Sequence, residues 1–76
     1  MDKNTFYLRI DELLEAAPGT VTGATELASL EAWDSLALMG FIALVDSHYK
    51  VNLPAKEITA CQTVDDLAAL VAAHQP

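Results

Sequence analysis

Cysteine is almost missing from this chain. Cys61 is the only one among 76 residues, which excludes an internal disulfide and any cysteine-rich metal site. Basic residues are scarce as well: Lys and Arg number 4 against 11 Asp and Glu, and the formal charge of −7 repels a nucleic-acid backbone and an anionic membrane surface alike. No apolar run approaches transmembrane length, and the polar stretch Met1 to Arg9 has no signal-peptide core, so a reducing cytoplasm is the expected setting. Internal repeats and low-complexity tracts are missing too.

What is present is a folded chain. It is 53% hydrophobic with only 3 Gly and 3 Pro, and its Ala and Leu content leans helical. The length allows one domain over residues 1–76 with a modest core and no substrate-enclosing cleft. Short, simple termini suggest an independent, monomeric protein. Its acidity would steer it toward enzymes with basic docking patches, an effect on association rate more than on fold.

Apolar spacing predicts the elements. Phe6, Ile10, Leu13, Leu14 and Ala17 form one stripe of a helix over about Asn4 to Ala17, capped by Asn4 or Thr5 and stopped by Pro18-Gly19. Thr20 to Trp33 reads as a long connection pinned by Val21, Leu27, Leu30 and Trp33. A second helix starts at Asp34 or Ser35, runs to about Lys50 and buries Leu38, Phe41, Ile42, Val45 and Tyr49. After Leu53-Pro54, a turn or two over Ala55 to Ala60 is anchored by Ile58. A last helix opens at Thr63 with a capping box that uses Asp66, carries Val64, Leu67, Leu70 and Val71, and frays at His74-Gln75-Pro76. The expected fold is all-α: a small bundle of three longer helices and one short one.

The chemistry centres on Trp33-Asp34-Ser35-Leu36. A hydroxyl in the first turn of a helix lies beside unpaired backbone N–H groups and the positive end of the dipole, where an attached phosphate would be stabilised. The bland alternative is that Asp34 and Ser35 only cap, since these are preferred capping residues and D-S-L is a short string. A catalytic serine needs a neighbouring base. The only histidines are His48, more than three turns along the same helix, and His74 in the terminal tail, so a hydrolase is disfavoured.

From the first helix to the last, the arrangement resembles the acyl carrier protein family. The marks are Asp34-Ser35-Leu36 at the head of helix two, the apolar run through Phe41, Val45 and Tyr49, then Leu53-Pro54, then Thr63-Val64. From Asp34 to Leu70 they lie on the family pattern without a gap. The resemblance implies a non-catalytic carrier. Ser35 would receive 4'-phosphopantetheine from coenzyme A through a phosphopantetheinyl transferase and Mg²⁺, and the arm's thiol, not Cys61, would carry the cargo. Asp34 would engage the transferase and its metal, and Leu36 would supply an apolar docking contact. Acyl-loading and acyl-processing enzymes would be the further partners. One departure is Ala32-Trp33, where many members have Gly two residues before the Asp. Trp33 either packs under the loop or lies beside the arm as a partner contact.

On helix two, Leu36, Gly40, Ala43 and Ser47 lie opposite the core stripe, and Met39 and Leu44 flank it, either as docking contacts or as core. Gly40 marks close approach of a partner or tight packing of helix three. Fatty-acid-synthesis carriers typically bear several acidic residues here. This helix offers Asp46 alone, which implies apolar docking and a specialised pathway. Acyl cargo is preferred to aminoacyl on the net acidity and the D-S-L string; a peptidyl carrier and an unmodified helical interaction module are the alternatives. Most of the other carboxylates, Asp2, Asp11, Glu12, Glu15, Glu26, Glu31, Asp65 and Asp66, read as solvated surface, with Glu31 near enough to Ser35 to face a transferase. The histidines lack clustered partners and are not metal ligands. Ala28, Ala43, Ala60, Ala68 and Ala69 imply either a soft crevice for cargo between helices two and four or plain close packing.

Overall fold

Asp2 starts the first helix. Its carboxylate accepts the Thr5 N–H at 3.2 Å and the Thr5 hydroxyl at 2.6 Å, satisfying a backbone donor that the first turn leaves free. In the computed structural model, which describes residues 1–75, α1 spans Lys3–Leu13. Neither expected cap, Asn4 or Thr5, is the real one, and the helix ends a turn before Ala17. Glu15 takes a left-handed conformation (φ 56°), Ala16 N–H reaches Asp11 O at 2.8 Å and Glu15 N–H reaches Glu12 O at 3.1 Å. These bonds close the last carbonyls in the manner of a Schellman motif, upstream of Pro18-Gly19.

Helix α2 spans Ser35–Tyr49, capped by Asp34 and terminated where Lys50 turns left-handed (φ 57°). The short α3 covers Ala55–Thr59, and α4 covers Val64–His74. The expected capping box is present: Thr63 Oγ accepts from Asp66 N–H, and the Asp66 carboxylate accepts from Thr63 N–H. His74 is the last helical residue rather than part of a frayed end; Pro76 lies outside the described residues. Among the described residues, no helix is long and apolar enough to cross a membrane.

The connection between α1 and α2 is an ordered cover. It holds one 3₁₀ turn, Leu27–Ser29, and is stitched to the entrance of α4 by Leu27 N–H to Gln62 O (2.8 Å), Val64 N–H to Thr25 O (3.0 Å) and Asp65 N–H to Gly23 O (2.9 Å). Its start is held by Asp11, which is a correction to the surface assignment: the side chain is 1% exposed and accepts from Gly19 N–H at 2.8 Å and Val21 N–H at 2.9 Å. A carboxylate placed there replaces the ladder partners that loop amides lack. Asp65 stays half-exposed, accepting the Tyr7 hydroxyl at 2.5 Å and facing Lys3 at 3.6 Å.

The core forms where α1, α2 and α4 converge under this cover. Phe6 and Ile10 meet Phe41 and Val45, then Ile58, Leu67 and Val71, all fully buried, each worth roughly 1.5–3 kcal/mol on burial. Phe6 and Phe41 are edge to face at 6.1 Å, and Trp33 extends the cluster at 5.8 Å from Phe41. Of the five alanines considered for a crevice, only Ala68 is buried; Ala28, Ala43, Ala60 and Ala69 face solvent.

Candidate functional site

Ser35 is the first residue of α2 and is exposed. Asp34 aims one carboxylate oxygen at Ala37 N–H (2.9 Å), and the Asp34 carbonyl accepts from Leu38 N–H (2.9 Å). The amides of Ser35 and Leu36 belong to the first turn and have no carbonyl one turn earlier in the helix to bond. The hydroxyl therefore stands at the positive end of a 15-residue helix with free donors beside it. No general base accompanies it. His48 sits thirteen residues along α2, about 20 Å at 1.5 Å per residue, with its Nε2 3.3 Å from Arg9 Nη1. His74, on α4, lies 3.5 Å from Glu57. The constellation suits a hydroxyl that is modified, not one that attacks unaided.

A cleft of about 250 Å³ opens beside it, lined by Trp33, Asp34, Ser35, Leu38 and Thr59. Trp33 packs into the fold, the first of the two roles considered for it. One edge packs on Phe41, and the half-buried indole walls the space next to Ser35. Thr59, the end of α3, was not foreseen, because only the return of α3 toward α2 brings it here. The exposed hydroxyl, its free amides and the open cleft fit a phosphate-linked arm.

On the outer side of α2, Leu36 is 78% and Met39 67% exposed, so both are surface; Ala43 and Asp46 are exposed too, whereas Leu44 packs against the core. A groove of about 590 Å³ runs between this face and α1, with Leu13, Leu14, Ala37 and Gly40 along it. Gly40 is not packed against helix three. Leu13 of α1 lies over it, and a β-carbon there would sit 2.7 Å from Leu13 Cδ1. Leu13 and Leu14 pack against the core as their stripe predicts, and they also line this groove. Glu31 is exposed in the turn before Trp33. Cys61 is half-buried, and burial, with Asp66 and Glu57 nearby, pushes its thiol pKa up, so it stays a protonated thiol and a poor nucleophile.

Comparison with known proteins agrees with this geometry. Residues 9–71 match the family described as "Phosphopantetheine attachment site". The fold matches the solution NMR structure of a holo acyl carrier protein from Geobacter metallireducens with a TM-score of 0.76 and 28% identity, over 97% of this chain and 86% of that one. No curated protein gives a significant match. The chain belongs to the phosphopantetheine-attachment family, with the acyl carrier protein fold. It is a non-catalytic carrier domain for covalently attached 4'-phosphopantetheine, of a kind that works with phosphopantetheinyl transferases and biosynthetic enzymes.

Proposed function

We propose that Ser35 is the attachment residue and that residues 1–76 form one carrier domain presenting acyl thioesters to successive enzymes. The observation that carries this is an exposed hydroxyl at the first position of α2, capped by Asp34 and flanked by an open cleft. Ser35 Oγ would attack the coenzyme A phosphorus that bears the pantetheine, forming the new phosphodiester bond as the pyrophosphate P–O bond breaks and 3',5'-ADP leaves, and its proton would pass to a base on the transferase, since both histidines of this chain are engaged elsewhere. Asp34 keeps one carboxylate oxygen free of the cap for the transferase and its Mg²⁺. When bound, the arm supplies a thiol that holds cargo as a thioester.

Leu36, Met39, Gly40, Ala43, Asp46 and Trp33 form the docking face, used mainly through apolar contact. Asp46 is the only carboxylate on α2 and the large exposed side chains are Leu36 and Met39, which supports a specialised, secondary-metabolite or polyketide-like, pathway over the acid-rich docking of fatty-acid synthesis. We place the protein in the cytoplasm as a monomer, consistent with its single cysteine.

The test is intact mass after incubation with coenzyme A, Mg²⁺ and a promiscuous phosphopantetheinyl transferase. Wild type should gain one phosphopantetheinyl group and Ser35→Ala none. Gain in Ser35→Ala, or no gain in wild type while a control carrier is fully modified, overturns the assignment.

A further inference from the structure

Arg9 is the sole arginine of the chain and sits half-buried on α1, its Nη1 3.3 Å from His48 Nε2 near the end of α2. A guanidinium only donates, so Nε2 is the acceptor and the imidazole is neutral, with its proton on Nδ1. The acid–base contacts among the described residues are Lys3 with Asp65 and His74 with Glu57, and Arg9 is in neither. Its Nε–H is shut off from solvent and meets no acceptor. In a chain of formal charge −7, the one guanidinium is held without a carboxylate.

The pair stands at one end of a groove between two helices. Leu13 lies over Gly40 and Arg9 reaches His48, so α1 and α2 run antiparallel along it. This end holds about 410 Å³, with Leu13, Gly40, Ala43 and Leu44 as its walls and Arg9, Glu12 and His48 as its polar rim. Leu13 and Gly40 also line the larger groove bordered by Leu36 and Met39, so the two spaces share a wall. The end near Ser35 has the opposite sign, lined by Glu15 and Asp34. From Ser35 to His48 is ~20 Å along α2, about four helical turns. Over that length the groove passes from an acid end through an apolar middle to a basic end.

We propose that the basic end takes a carboxylate from a partner protein: a helix of a pathway enzyme lies along α1 and α2, with apolar side chains over Leu13 and Leu44 and an Asp or Glu at Arg9. The planar donors of Arg9 suit a carboxylate, which they bind through two parallel N–H···O bonds, and a half-buried guanidinium gains more from an anion than from the neutral imidazole it meets in the free chain. The entering carboxylate displaces His48 as acceptor. An acidic contact from the partner is the reverse of what the net charge selects elsewhere, so it sets the direction of docking. A helix turned end for end would place its acid over Glu15 and Asp34 and be repelled. The inference rests on the carrier reading above and extends its docking face past Gly40.

The probe is a synthetic helical peptide of about four turns, with a leucine stripe and one glutamate at the end meant for Arg9; its glutamine analogue is the control. Heteronuclear NMR titration of the full chain reads affinity and site together. The glutamate peptide should shift the amides of Gly40, Ala43 and Leu44 and the Arg9 Nε–H, and the glutamine analogue should bind about tenfold more weakly, the scale of losing one charge-assisted pair. Arg9→Gln should bring the two peptides to equal affinity, with Arg9→Lys between, and the amide spectrum of each variant shows that it is folded. No binding of the glutamate peptide, equal affinity of both peptides for wild type, or a preference that survives Arg9→Gln overturns the proposal. The mass assay at Ser35 separates the two readings. Full conversion with no acid preference removes the groove alone, whereas failed conversion of wild type removes the carrier reading and leaves an acid preference at Arg9 as the mark of an interaction module.

Discussion

Leu13 of α1 covers Gly40 of α2 so closely that residue 40 has no room for a side chain unless Leu13 moves: the nearest atom to a β-carbon there, Leu13 Cδ1, would be 2.7 Å away. The contact joins the two helices at the floor of the face that carries Leu36 and Met39.

Gly40→Ala sets a helix-propensity gain of about 1 kcal/mol against moving one flexible, half-buried leucine tip, a rotamer cost on the order of 1 kcal/mol. The expected urea midpoint is close to wild type. Gly40→Val adds branching that a tip rotation does not relieve and should cost about 1–3 kcal/mol. Equal losses for both variants would show that Leu13 is held rigidly.

Asp11 carries a different burden. Asp11→Ala strands the amides of Gly19 and Val21, each an unmet buried or half-buried donor, and leaves a void under the loop. A loss of about 2–4 kcal/mol is expected, at roughly 1–3 kcal/mol per stranded group with partial relief by water, a large share of a small domain's stability. Asp11→Asn keeps one acceptor and should fall between. Denaturant unfolding followed by circular dichroism measures both; a surface-like change below about 0.5 kcal/mol would return Asp11 to the solvated set.

Acid sensitivity has a named source. The Asp66 carboxylate accepts from the amides of Gln62 and Thr63, which lowers its pKa below the ordinary 3.8, and Thr5 does the same for Asp2. A carboxylate with a depressed folded-state pKa contributes stability above its unfolded value, and that contribution disappears as pH falls through the folded value. The unfolding midpoint should therefore drop as the pH falls below the ordinary carboxylate value of 3.8, and Asp66→Asn should make the drop shallower. An identical acid limb in the variant would exclude the capping box as its source.

Docking should be separable from folding. Leu36 and Met39 are mostly solvent-exposed, so Leu36→Asp and Met39→Asp should leave the melting temperature near wild type, within the roughly ±0.5 kcal/mol of ordinary surface changes. If the transferase or later enzymes read this face by apolar contact, each variant should slow modification or loading about tenfold, the equivalent of about 1.4 kcal/mol. Rates equal to wild type at both positions would move the docking face elsewhere.

Much of this protein was determined by local sequence. Helix period, the caps at Asp34 and Thr63, the short turn around Ile58 and the family marks from Asp34 to Leu70 depend on neighbours within a few residues, where spacing and side-chain chemistry act directly. The tertiary structure alone decided the rest. Asp11 is a buried acceptor because the loop eight and ten residues later folds back over it. Gly40 is crowded by a residue twenty-seven positions away, and Thr59 stands beside Ser35 because α3 packs against α2. The end of α1 was missed for a local reason: its left-handed residue is Glu15, and a non-glycine in that conformation leaves no signature in the sequence. Burial and close approach belong to pairs of segments, so an exposed acid and a buried one read alike until the chain has brought its amides to them.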